Sequence, residues 1–222
     1  MSDAPSVHGP VAHQFDDLEQ QREADELGMW TFLCTEILFF GGVFLAYTVY
    51  RLHDEAGFAD ASSTMNLWLG SINTGVLLCS SLTVALAVHA AEASRRTMLV
   101  VCLALTMVLG ALFLGIKFYE YYEKYKEHHM PMFGLPFVYE GQASPATAEL
   151  FFDLYFVMTG IHAIHMLIGM GVFVVLFIKS LRGGLLGDYS TPVHIAGLYW
   201  HFVDIVWVFL FPFLYLIGAR HG

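Results

Sequence analysis

Apolar residues dominate five long stretches of the chain, and polar residues collect between them. The first stretch runs over residues 27–50 and is broken by one charge, Glu36. The second covers 67–91 and the third 97–116, and neither contains Asp, Glu, Lys or Arg. The fourth, 154–178, is equally free of these residues, and the fifth, 191–219, contains only Asp204. A helix of about 20 apolar residues crosses the hydrocarbon core of a bilayer, so each stretch is long enough to span. Inside lipid every backbone group needs an internal partner, which selects helices over open strands. The alternation of a barrel strand is absent. The pattern predicts an all-α integral membrane bundle of five transmembrane helices, with a leader at 1–27 and a membrane domain at 28–222.

The polar connectors set the orientation. With five spans the chain ends lie on opposite sides. Arg22, Arg95, Arg96, Lys179 and Arg182 share the amino-terminal side, and Arg51, Lys117, Lys124, Lys126 and Arg220 share the other. The two short connectors, 92–96 and 179–190, carry four of the first group. Short loops count most, so the amino terminus is expected in the cytoplasm. The longest connector, 117–147, places Glu120 four residues before Lys124, an arrangement that supports a helix projecting into water until Pro131 ends it.

Composition sharpens this picture. The chain is 57% hydrophobic and 14% charged, against about a quarter charged in soluble domains. The leader lacks the basic start and apolar core of a cleaved signal peptide. It holds Asp3, Asp16, Asp17, Glu19, Glu23, Asp25 and Glu26 against Arg22, which makes it a solvated tail or a docking arm. A net charge of -10 argues against nucleic acid. Cys34, Cys79 and Cys102 stand singly, without the spacing of a disulfide framework or a metal site. His128, His129 and Met130 could bind copper on the outer face, but no further ligand stands at a defined spacing from them.

Ionisable side chains at bilayer depth are costly and mark functional or helix-bonding positions. Here they are Glu36, His162, His165, His201 and Asp204. Glu36 shares helical neighbours Phe32, Phe39 and Phe40, surroundings that disfavour a charge and suit an acid that donates a hydrogen bond or carries a proton. His162 and His165 align with Met158 and Gly169, the glycine admitting a close neighbouring helix. His201 and Asp204 stand three apart, an acid orienting an imidazole or two buried polar groups satisfying each other, and both readings require contact with another helix. Trp200, Asp204, Trp207, Phe211 and Tyr215 form a stripe, and Gly70, Asn73, Leu77, Ser80, Ser81 and Val84 form a second seam. A di-iron site would need several inward carboxylates, and a haem would need histidines on facing helices. Neither is present, so no intrinsic metal and no catalytic residue is expected.

Five segments, GMWTFLCTEILFFGGVFLAYTVYR (28–51), NTGVLLCSSLTVALA (73–87), FLGIKFYEY (113–121), TGIHAIHMLIG (159–169) and YWHFVDIVWVFLFPFLYL (199–216), together resemble subunit III of the haem-copper oxidases. The similarity touches all five spans in order, and the fourth and fifth segments carry it most specifically. It implies the five-helix form of a bundle that lacks the first two helices of longer members. Such a bundle is packed on a catalytic subunit I that holds the haem and copper, in the cytoplasmic membrane of a bacterium. The resemblance also implies that Glu36 is a buried carboxylate near phospholipid held in a cleft, and that the subunit supports proton uptake and protects its neighbour from inactivation. Cytochrome c oxidases, quinol oxidases and nitric oxide reductase accessory proteins all carry related chains. The ending FLFPFLYLIG leans toward the cytochrome c type.

Two rival readings come from other classes. An independent proton or ion carrier would use Glu36 and Asp204, but the inverted repeats and Gly/Pro-broken helices common in transporters are absent. A membrane metalloenzyme would use the histidines.

Overall fold

The computed structural model describes residues 14–131, 137–183, 185–187 and 190–218. Asp3, Arg220 and the first residues of the leader lie outside these described residues, as does the end of the fifth predicted span. The described residues form six helices: α1 (Leu18–His53), α2 (Glu55–Ser63), α3 (Leu67–Glu92), α4 (Arg96–Lys126), α5 (Pro145–Leu181) and α6 (Thr191–Tyr215). All except α2 are long and apolar enough to cross a membrane.

The helices run past the apolar stretches because charge does not stop a helix; it only takes it out of lipid. α1 starts at Leu18, within the acidic leader, where the Asp17 carboxylate accepts the Gln20 N–H at 2.8 Å. No structural boundary falls at residue 27. α5 likewise starts at Pro145, capped by Ser144, whose hydroxyl accepts the Thr147 N–H at 3.1 Å. α4 projects as expected but ends at Lys126, before Pro131. His128 takes a positive φ of 57° and the His129 N–H returns to the Lys124 carbonyl, so a left-handed residue closes the helix.

The expected Glu120–Lys124 pair does not form. Lys124 donates to Glu127 at 2.7 Å and to the Thr64 carbonyl at 3.0 Å, while Glu120 turns inward to Lys117.

α2 has no counterpart in the predicted elements, since nine mixed residues give no clear period. Asp54 caps it, accepting the Gly57 N–H at 2.9 Å. It lies across the carboxyl end of α6, where Ser62 donates to the Leu214 carbonyl at 2.8 Å. Tyr47 of α1 donates to the Phe213 carbonyl at 2.7 Å. These two bonds satisfy carbonyls that the end of α6 would leave free.

Helices α3, α4, α5 and α6 pack on one another, and α1 leans mainly on α6. Small residues set the approach. A Cβ at Gly169 would lie 2.9 Å from the Trp200 ring, and one at Gly110 would lie 2.7 Å from the Met170 sulfur. The glycine expected to admit a neighbour therefore receives Trp200 of α6. The stripe of α6 is the face turned inward, with Trp200 and Trp207 both fully enclosed.

Candidate functional site

α1 touches the bundle at few places, and one of them joins two of the ionisable residues. His165 Nδ1 lies 2.9 Å from the Ile161 carbonyl oxygen, and its Nε2 lies 3.2 Å from Glu36 Oε2. A carbonyl only accepts, so Nδ1 carries a hydrogen. The second contact is then a hydrogen bond only if one more proton sits on Nε2 or on the carboxyl. The pair joins α1 to α5. Its side chains are 18% and 14% exposed. Phe40 lies tilted against His165 at 5.1 Å between ring centres, which puts aromatic carbon beside the pair.

Two apolar cavities flank this contact. One of about 520 Å³ lies between α1, α5 and α6, with Met29, Phe32, Ile168, Val172 and Tyr199 in its wall and Asp25 and Thr191 also lining it. The other, of about 360 Å³, lies between α1 and α6 around Ile37, Gly41, Phe44 and Phe209. Glu36 falls between the two along α1.

The two histidines of α5 do not act together. Although three residues apart, they face different neighbours: His165 meets α1, whereas His162 is sealed between Phe113 and Trp207, at 5.6 and 5.2 Å between ring centres. Among the described residues neither ring nitrogen of His162 has a hydrogen-bond partner. Its expected polar contact is instead aromatic packing.

The His201–Asp204 pair is also redistributed. His201 Nδ1 lies 2.7 Å from the Ser81 hydroxyl of α3. Among the described residues neither Asp204 oxygen has a hydrogen bond of good geometry, although the Ser81 hydroxyl lies beside the carboxyl. Asn73 makes one weak bond, donating to the Phe113 carbonyl at 3.4 Å, with its own oxygen unpaired. Contact with another helix was required of His201, and α3 provides it through Ser81.

The most complete polar site lies where the apolar pattern gives way to a charged connector. Lys117 is enclosed in the bundle and donates to Glu120 at 2.8 Å, Tyr215 at 2.8 Å and Tyr155 at 3.1 Å. Tyr215 in turn donates to the other Glu120 oxygen at 2.6 Å. The ammonium stands 5.0 Å from the Trp207 ring centre and 5.1 Å from that of Tyr155, within cation–π range. All three ammonium hydrogens and both carboxylate oxygens are used, which is what makes a buried ion pair tolerable. FLGIKFYEY held the signal: Lys117 and Glu120 are one helical turn apart beside aromatic residues. Sequence alone placed them in a connector because charges end an apolar run.

On the same end of the bundle the chain beyond α4 is tied down. Asp60 of α2 accepts from the Tyr139 hydroxyl and the Ala143 N–H, both at 2.8 Å. The Ala143 N–H holds the carboxyl below the usual aspartate range against the opposing effect of burial, with Tyr139 helping. His129 stacks on Phe152 at 4.9 Å, and burial pushes its imidazole below the usual range. Packed in this way it is not presented as a copper ligand. Among the described residues no group of three or more His, Cys, Asp or Glu is placed to hold a metal ion.

A family model described as Cytochrome c oxidase subunit III matches residues 19–219. A cytochrome c oxidase subunit 3 of Alkalihalophilus pseudofirmus is 33% identical over 196 residues, 87% of this chain and 86% of that protein. A cytochrome bo(3) ubiquinol oxidase subunit 3 of Pseudomonas aeruginosa is 30% identical over 209 residues, 94% of this chain and 92% of its own. A quinol oxidase subunit 3 of Bacillus subtilis is 32% identical over 205 residues, 90% and 92% of the two chains. With five apolar helices and relatives of this origin, the chain is a multi-pass bacterial membrane protein. It belongs to the cytochrome c oxidase subunit III family, the third subunits of the haem-copper oxidases.

Proposed function

We propose that the chain is the non-catalytic third subunit of a haem-copper terminal oxidase in aerobic respiration. It stabilises a catalytic subunit that holds haem and copper, retains phospholipid between α1 and the bundle, and supports proton uptake through Glu36. The observation that carries this reading is the Glu36–His165 contact, which joins α1 to α5 beside an apolar cavity of about 520 Å³. A carboxyl held by an imidazole keeps a proton available without leaving a bare charge in hydrocarbon. The amino terminus is read as cytoplasmic from the basic residues of the short connectors.

The electron donor is read as cytochrome c. The family model and the Alkalihalophilus relative bear that name, and the ending FLFPFLYLIG leans the same way. A quinol donor is the second reading, favoured by the names of the Pseudomonas and Bacillus relatives. Purification through a tag on this chain tests both. The complex is expected to carry haem on other subunits and to consume oxygen with reduced cytochrome c; activity with quinol alone selects the second reading. Under sustained turnover a Glu36→Gln complex is expected to lose activity faster than the wild type. Equal lifetimes would remove Glu36 from the proposal.

A further inference from the structure

His201 and Ser81 form a polar contact on the outward side of the bundle, where hydrocarbon would otherwise lie. His201 is the eleventh residue of α6 and Ser81 the fifteenth of α3. At a rise of about 1.5 Å per residue they stand about 15 and 21 Å from the helix starts, well inside a core about 30 Å thick. Both side chains are half-buried, and the exposed residues around them are Leu78 and Leu82 on α3 and Ile205 and Val208 on α6. Ser81 takes only one edge of the imidazole, through Nδ1. Nε2 makes no hydrogen bond to the described residues, and it needs a partner in either tautomer.

Lipid cannot supply that partner, since head groups lie at the ends of the helices and acyl chains neither donate nor accept. The exposed face of α5 shows what a lipid-facing surface of this chain looks like. Its exposed residues from Ile164 to Ile178 are aliphatic or glycine. His165, on the same helix, is satisfied from within by Glu36 and Ile161. The α3–α6 seam differs in offering an unsatisfied imidazole edge in an apolar surround. Gly75, on the exposed side of α3, adds a position where a Cβ would meet nothing within 4 Å, leaving room for close approach.

We propose that this seam, centred on His201, receives a transmembrane helix of the catalytic subunit, and that this helix brings a hydroxyl, amide or carboxyl side chain to His201 Nε2. The inference rests on the reading of the chain as an oxidase subunit. An arrangement of polar centre and apolar rim suits a protein partner: the hydrogen bond sets depth and register, and the surrounding aliphatic side chains supply the packing.

The test uses the whole complex in native membranes, with a photoreactive residue at Ile205 or, as a control, at Val175 of α5. Crosslinking to the catalytic subunit is expected from position 205 and not from 175. In parallel, His201→Leu is expected to lower retention of the catalytic subunit in detergent about tenfold, the scale of leaving a buried polar group unpaired, while His201→Gln and Cys79→Ala retain it. Capture of lipid alone or of a second copy at position 205, or of the catalytic subunit at 175 alone, overturns the inference. So does full retention in His201→Leu. A wild-type chain that brings down no haem-containing subunit defeats instead the oxidase reading on which the inference stands. The crosslink from position 205 needs no change at His201, so it decides the matter even if the leucine variant fails to accumulate.

Discussion

The ionisable residues of this chain divide by whether their partners lie inside the bundle. Lys117 and Glu120 are fully matched, so removing one charge should cost far more than removing both. Lys117→Met is expected to destabilise the subunit by about 3–5 kcal/mol by stranding the Glu120 carboxylate, whereas Lys117→Met with Glu120→Leu should recover most of that loss. Denaturation of the purified complex in graded detergent or urea measures it, and a double variant as unstable as the single would contradict the account. Asp60 gives a pH prediction at the aqueous end. Its carboxyl is held below the usual range, chiefly by the Ala143 N–H. A depressed folded value means that the tie contributes at all pH above the unfolded value of about 4, and is lost as pH falls through the lower folded value. Hydrogen exchange at Ala143, corrected for its intrinsic rate, should stay protected from about pH 8 to 5 and accelerate below about 4. Asp60→Asn should exchange fast at every pH. Protection unchanged in that variant would show that Asp60 is not what holds the segment.

At the scale of helices, packing is set where backbones must come close. Gly169 and Gly171 are two residues apart on α5, yet a Cβ at the first would press the Trp200 ring and one at the second would meet nothing within 4 Å. Gly169→Ala is therefore expected to cost about 1–3 kcal/mol through overpacking, and Gly171→Ala to be neutral or slightly favourable through helix propensity. Thermal melts of the two variants in the same detergent check the difference, and equal midpoints would sink it. α1 follows another logic. It leans mainly on α6, with Tyr47 hydrogen-bonded to the Phe213 carbonyl and Glu36 to His165. The cavities on its two sides exist because it stands off from the bundle.

In the proposed reading the whole molecule is a scaffold, and redox chemistry belongs to a partner subunit. No cluster of metal-ligating side chains occurs among the described residues, and the histidines of the membrane region are separated by their neighbours into different surroundings. Metal analysis of the chain separated from its complex should find iron and copper well below one atom per chain, with no haem absorbance. Stoichiometric metal lost in His162→Ala would reverse this reading and favour the metalloenzyme. Flux of protons in vesicles that hold only this chain, abolished by Glu36→Gln, would favour the carrier.

Much of the architecture was legible because the bilayer imposes a simple rule: about 20 apolar residues make one span. That rule yields the five membrane helices and their order from hydropathy alone, and the residues of TGIHAIHMLIG and YWHFVDIVW already pointed to the family. It says nothing about where helices continue in water, which is why α1 reaches back to Leu18 and α2 went unseen. Spacing along one helix tells which residues share a face but not which neighbour that face meets. Glu120 was matched with Lys124 on spacing, and tertiary contacts matched it with Lys117 and Tyr215 instead. His201 and Asp204 were linked by their interval, and packing gave His201 to Ser81. Sequence by itself determined what must lie in the membrane, because burial in lipid is a property of composition along a segment. Only the tertiary structure decided which polar groups meet and which are left facing outward, because hydrogen bonds reach about 3 Å and depend on the rotation and approach of whole helices.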